Sequence, residues 1–257
     1  MDKESVNKST IDIFCEKKDL EKSCLNNVID KVPWLQKFKL VGDKSQESPD
    51  FILERNNKVI GIEHFHIDML YLDKKKHTGL GRYTYNDIRN LFKQYNVKAV
   101  NDTFELQDGK DASIELESIV NELINGQNSF NYNTFIKEWD RIFNKHYDRR
   151  YEYRKNANVD KLGFLIEIRR YFKLPYVCNR KNSKIIVDSK SIPITQDIAT
   201  YLNKIGDGVD FIIIVVKGLL DDYVCVEYFD ENNPVKAKFD SFEFKKIPGK
   251  IQIDVEQ

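Results

Sequence analysis

The segment that decides the fold spans residues 48–68 and reads SPDFILERNNKVIGIEHFHID. It contains two runs rich in Ile, Val and Phe, at 50–54 and 58–67, and each predicts a β-strand. Between them, residues 55–57 (RNN) accept tight-turn geometry, so we expect the two strands to pair as a hairpin. One carboxylate, Asp50, opens the first strand, and another, Glu63, lies in the middle of the second.

A helix is predicted upstream of the hairpin, in the segment LEKSCLNNVIDKVPWL that begins at Leu20. Apolar side chains recur there at helical spacing, at Leu20, Cys24, Leu25, Val28 and Val32. At 100° per residue, Glu21 falls near the middle of this stripe, where a carboxylate must be paired, hydrogen-bonded or bound to a metal. Pro33 ends the predicted helix, and KFKLVG follows as a short strand.

Downstream of the hairpin, residues 86–157 have a helical pattern and are expected to form a helical insertion. In its last part, one apolar stripe is formed by Phe135, Trp139, Ile142, Phe143 and His146. Lys145 lies on the flank of this stripe. Strands are predicted at 161–168 and in SKIIVDSK, and a short helix at 195–205. The run DFIIIVVKG is typical of a strand covered on both faces, with DYVCVEYF beside it. We therefore expect one α/β (α+β) domain over residues 1–257, with a mixed central sheet flanked by helices.

Composition limits the partners and the location of the protein. Lys plus Arg and Asp plus Glu both number 41 in 257 residues, so no net charge draws the chain to nucleic acid or to a membrane surface. A polyanion site must then be local. The N-terminus has no apolar stretch of signal-peptide type, and the four cysteines have no CxxC spacing, so we expect a cytoplasmic protein with reduced thiols and no membrane partner.

The hairpin suggests where chemistry could occur. Pairing of the two strands would bring Asp50 close to Glu63, and a packed helix could add Glu21 as a third acid. Two or three carboxylates with water molecules suit Mg²⁺ or Mn²⁺, and such a site is suited to phosphodiester hydrolysis. Each acid taken alone is more commonly structural, so the hypothesis depends on their joint occurrence in this order.

This combination resembles the PD-(D/E)XK, or restriction-endonuclease-like, nuclease superfamily. The matching residues are Glu21, Pro49-Asp50 and Gly61-Ile62-Glu63, and the order of helix and three strands over roughly the first 70 residues also agrees. The resemblance implies a Mg²⁺- or Mn²⁺-dependent endonuclease that hydrolyses DNA, with RNA as the alternative substrate. It also implies a role in defence against foreign nucleic acid and a homodimer or a defence-system partner.

The sequence departs from the family pattern at one position. The family has a Lys two residues after the strand Glu, where it orients or activates the attacking water, and this chain has Phe65 there. The hypothesis assigns that task to Lys145, and assigns Asp50, Glu63 and Glu21 to the metal. The residues expected to hold the phosphate backbone are Lys74, Lys75, Lys76, Arg82, Arg149 and Arg150. If the missing Lys means lost chemistry, the alternative is an inactive module that binds nucleic acid or protein.

Strand alternation provides a second alternative. His64, His66 and Asp68 point to the face opposite Glu63, and this set could bind Zn²⁺ or another transition metal, as in a hydrolase of a different kind. Such a set is more commonly a polar exposed edge. Two further acids at strand positions, Glu167 and Asp210, are expected to be structural or peripheral.

Overall fold

The protein is described from a computed structural model. The described residues are 20–41, 49–68, 98–100, 103–106, 132–169, 173–179, 184–187, 194–217, 223–233, 235–237, 243–246 and 251–253. Among them, no helix combines the length and the apolar character that crossing a membrane requires.

A six-stranded mixed sheet forms the centre of the fold, as the sequence predicts. Its strands in spatial order are β1 (Lys39–Leu40), β2 (Phe51–Arg55), β3 (Lys58–Asp68), β6 (Lys161–Arg169), β9 (Phe211–Lys217) and β10 (Tyr223–Asp230). Strands β3, β6 and β9 are parallel, and the other neighbours are antiparallel. All seven residues of β9 are buried, which confirms the prediction of a strand covered on both faces.

The predicted hairpin is present as β2 and β3. Asn56 and Asn57 both have positive φ, at 47° and 63°, which is the backbone conformation that a tight two-residue hairpin turn requires and that Asn tolerates. The register pairs Phe51 with Ile62 and Arg55 with Lys58. This register sets Asp50, one residue before β2, beside Glu63.

Helices cover both faces of the central sheet. Helix α1 (20–29) packs on one face, where it contributes Cys24, Leu25 and Val28 to a core shared with Ile62 and Leu165. The opposite face carries α2 (Tyr132–Tyr147), α3 (Arg150–Ala157) and α4 (Gln196–Leu202). The predicted stripes of α1 and α2 are thus the faces that they bury, because apolar residues three and four apart lie on one side of a helix.

The prediction of a purely helical insertion at 86–157 is wrong in part. Two short strands, β4 (Lys98–Val100) and β5 (Thr103–Leu106), lie inside it and form a three-stranded sheet with β12 (Ile251–Ile253). Strand β12 pairs with β5 in parallel, so the partner comes from the far end of the chain and local periodicity could not indicate it. Another three-stranded sheet consists of β7 (Lys173–Asn179), β8 (Lys184–Val187) and β11 (Glu243–Lys246).

Candidate active site

Asp50 is held against the middle of β3. Its Oδ2 accepts a hydrogen bond of 2.7 Å from the backbone N–H of His64, the residue after Glu63. Pro49, directly before it, is buried over Gly61, where an added Cβ would lie only 2.8 Å from the Pro49 ring. The missing side chain at Gly61 therefore lets the Pro-Asp corner pack on β3, and this packing sets the Asp50 carboxylate beside Glu63.

The pKa of Asp50 reports the charges around it. Asp50 is exposed, but the protein crowds its carboxyl, and this partial loss of water followed by the negative charge of Glu63 raises its pKa to about 7. The charge of Glu21 raises the pKa further, whereas the hydrogen bond from His64 lowers it. The charges of both Glu63 and Glu21 therefore act on the Asp50 carboxyl.

Glu63 is buried, with 6% of its surface exposed. Its Oε1 lies 3.0 Å from Nδ1 of His146, which reaches it from α2. Because a carboxylate only accepts, Nδ1 carries the proton in this contact. The second oxygen, Oε2, is buried and has no hydrogen-bond partner among the residues that the structure describes.

His146, the residue after Lys145 in α2, contacts Glu63 and Phe65. The His146 ring stacks on Phe65 with centroids 4.3 Å apart and planes 9° apart, and its Nδ1 also lies 3.1 Å from the hydroxyl of Tyr153. Burial and the charge of Glu63 raise the pKa of Tyr153, so the hydroxyl stays protonated. The sequence indicated His146 only as a stripe residue, and Lys145 is exposed one position away.

Of the six predicted phosphate-binding residues, two lie in the described part of the chain. Lys74, Lys75, Lys76 and Arg82 lie outside the described residues. The other two arginines already have carboxylate partners: Arg149 lies 3.1 Å from Glu152, and Arg150 lies 2.8 Å from Asp207.

The alternative site at His64, His66 and Asp68 is not assembled as predicted. In the described part of the chain, the one set of three metal-type ligands with all ligand atoms within 4.8 Å of one another is Cys24, His64 and Glu167. His66 is exposed, whereas His64 is covered by α1. Of the three residues predicted for this alternative site, His64 belongs to that set, and His66 and Asp68 do not. The three acids Asp50, Glu63 and Glu21 do not form so close a set.

Glu167 was expected to be structural or peripheral, and the structure places it in the buried interior of the sheet. It is 2% exposed, its Oε2 lies 3.4 Å from His64 Nε2, and its Oε1 accepts a 2.8 Å hydrogen bond from Arg169. Burial alone would raise the pKa of Glu167, but His64 and the positive charges of Arg169 and Lys217 lower it below its ordinary value. Asp210 is structural as expected, because it accepts from Arg154 and from the backbone N–H of Leu162.

We compared the chain with models of protein families, with curated proteins and with solved structures, and none of these comparisons finds a match. An assignment of function therefore depends on the residues themselves.

Proposed function

We propose that the protein is a Mg²⁺- or Mn²⁺-dependent nuclease that hydrolyses phosphodiester bonds of DNA, with RNA as the alternative substrate. One observation carries the proposal: Asp50 and Glu63 meet at the hairpin, and Glu63 keeps a buried oxygen without a hydrogen-bond partner in the described part of the chain. Resemblance to restriction-endonuclease-like proteins extends the proposal to defence against foreign nucleic acid.

The residues fit a hard divalent cation. Asp50, Glu63 and Glu21 offer only carboxylate oxygens, which are the ligands that Mg²⁺ and Mn²⁺ prefer. A buried carboxylate oxygen without a partner is unfavourable, and a cation would remove that cost. A cation would also offset the repulsion that raises the pKa of Asp50.

Two side chains of α2 have proposed roles beside the cation. When bound, the cation would supply a hydroxide nucleophile and neutralise charge on the phosphate. His146 holds Oε1 of Glu63 and so fixes the carboxylate with Oε2 directed away from that hydrogen bond. His146 is thus a positioning residue, because hydrogen bonds to ligand carboxylates orient them. Lys145, exposed beside it, is proposed to orient the attacking water.

A second candidate, a module that binds nucleic acid or protein without cutting, is favoured by Phe65. This residue occupies the position of the missing Lys, is 4% exposed, and contacts the rings of His146 and Phe164. An aromatic ring therefore occupies the position on β3 at which the family has an ammonium. Activity then requires that another residue perform the task of that Lys.

Cleavage assays separate these candidates. Purified protein is incubated with supercoiled plasmid, linear DNA and RNA in the presence of Mn²⁺ or of a chelator. We expect metal-dependent cleavage that falls by at least about a hundredfold in Asp50→Asn and Glu63→Gln, which remove the ligand charge and keep the shape. Glu54→Gln is the matched control, because Glu54 is an exposed carboxylate at the other end of β2.

The outcomes are distinct. Cleavage that persists in both ligand variants would refute the assigned site. Binding to nucleic acid that is insensitive to metal and to both substitutions, without any cleavage, would favour the inactive module.

A further inference from the structure

A second group of metal-type ligands lies on the other face of β3. Cys24 of α1, His64 of β3 and Glu167 of β6 place one ligand atom each within 4.8 Å of the others. All three side chains are buried, with exposures of 0%, 7% and 2%. The nuclease proposal uses none of these side chains.

Charge and hydrogen bonding to Glu167 act within this group, but they leave His64 without a well-aligned hydrogen bond. His64 Nε2 lies 3.4 Å from Glu167 Oε2, but the nitrogen has no hydrogen-bond partner in the described part of the chain. A buried nitrogen without a well-formed hydrogen bond is unfavourable. As a metal ligand, this nitrogen would have a bonding partner, since neutral imidazole is a preferred ligand of transition metals.

We propose that Cys24, His64 and Glu167 bind one Zn²⁺ ion, or a chemically similar transition-metal ion, which fastens α1 to the central sheet. Thiolate, imidazole and carboxylate are the three protein ligand types of Zn²⁺, and a water molecule can complete a tetrahedral shell. The hard cation of the acid site prefers an all-oxygen set, so the two sites differ in the metal they select.

The neighbouring cations are compatible with the site. Arg169 donates to Oε1 of Glu167, so Oε2 remains on the side of His64. A residue that donates a hydrogen bond to a metal-binding carboxylate fixes its orientation in this way. Lys217 is buried nearby, and its charge favours the thiolate of Cys24, although burial and Glu167 raise the pKa of that thiol. Binding of Zn²⁺ would release the thiol proton to solvent, so one positive charge is added among these groups.

The site would couple metal binding to folding. Its ligands come from three elements that meet only in the folded chain, so a bound ion would stabilise the docked position of α1 on the sheet. Glu21 lies one helical turn before Cys24 on α1. The ion would therefore also hold Glu21 near Asp50, without itself touching substrate.

Elemental analysis tests the proposal directly. The protein is produced without a metal-binding tag, reduced, reconstituted with Zn²⁺ and desalted. We expect about one Zn²⁺ per chain, and at least about a tenfold loss in Cys24→Ser and His64→Gln. Cys225→Ser is the matched control, because Cys225 is another cysteine of the described part of the chain and lies outside the cluster.

Two further measurements keep the result interpretable. Wild-type protein reconstituted with Co²⁺ should show a thiolate-to-cobalt charge-transfer band, which needs no folded variant. The double variant Asp50→Asn/Glu63→Gln should retain Zn²⁺ even where it loses cleavage, so failure of either site is distinguishable. No stoichiometric Zn²⁺ in the reconstituted wild type, no cobalt-thiolate band, or full Zn²⁺ retention in Cys24→Ser would overturn the proposal.

Discussion

Replacement of Asp50 by Asn should stabilise the metal-free protein and remove its response to Mn²⁺. The amide has nearly the shape of the carboxylate and can still accept the hydrogen bond from His64, so the main change is loss of charge beside Glu63. Partial burial, followed by repulsion from Glu63, raises the pKa of Asp50 from 3.8 to about 7. The folded protein therefore tolerates the charged carboxylate less well than the unfolded chain does.

The sign of the pH dependence follows from linkage. A carboxyl with a raised folded-state pKa binds its proton more tightly when folded, so stability falls as pH rises from about 4 and stops falling above about 7. Taken at face value, the change in pKa corresponds to about 4 kcal/mol. Because Asp50 is exposed and water screens its charge, we expect a gain of about 1 to 2 kcal/mol for Asp50→Asn at pH 8.5.

Thermal unfolding measures this gain. In the presence of a chelator at pH 8.5, Asp50→Asn should melt about 2 to 8 °C above the wild type, and the difference should shrink to about a third at pH 5. Mn²⁺ at ten times its dissociation constant should stabilise the wild type by about 1.4 kcal/mol and leave the variant nearly unchanged. The control Glu54→Gln should follow the wild type in every condition.

Two results would refute this reasoning. If Asp50→Asn is no more stable than the wild type at pH 8.5 without metal, neither burial of the Asp50 carboxyl nor repulsion by Glu63 disfavours its charged form in the folded protein. If Mn²⁺ stabilises the variant as much as the wild type, Asp50 is not a ligand.

Three further substitutions test other contacts. His146→Gln should raise the Mn²⁺ concentration needed for half-maximal cleavage about tenfold, because a positioning hydrogen bond is weakened; an unchanged Mn²⁺ dependence would contradict this role. Gly163→Ala should destabilise the protein by about 1 to 3 kcal/mol or more in urea unfolding, since the new Cβ would lie 2.1 Å from the ring of Phe211; an unchanged midpoint would mean that the ring moves freely. Arg154→Met should lower the free energy of unfolding by about 1 to 2 kcal/mol in urea unfolding, because the partly exposed Asp210 loses its ion-pair partner. A stability equal to that of the wild type would show that water replaces the pair.

Local patterns predicted the parts of the molecule that local chemistry determines. The β2–β3 hairpin and its turn follow from two apolar runs around Asn56 and Asn57, and the meeting of Asp50 with Glu63 follows from that hairpin. The buried faces of α1 and α2 follow from 3.6-residue periodicity. In each case, the residues that interact are close in sequence or lie on one element.

The parts that the sequence did not indicate depend on distant pairing. Glu167 reaches His64 only because β6 aligns in parallel with β3, in a register that pairs His64 with Leu165 and His66 with Glu167. No periodicity within either strand specifies that register or the position at which α1 packs on the sheet. The same reason explains why β5 was missed, since its partner β12 lies near the end of the chain.

Strand β3 links the two proposed sites through alternation. Glu63 points to the α2 face and His64 to the α1 face, while the backbone N–H of His64 holds Asp50 in the first site. A slip of one residue in β3 would exchange the two side chains and disable both sites together. Asp50→Asn and Glu63→Gln, by contrast, should disable only the first site. The two sites therefore depend on one strand register and share no ligand.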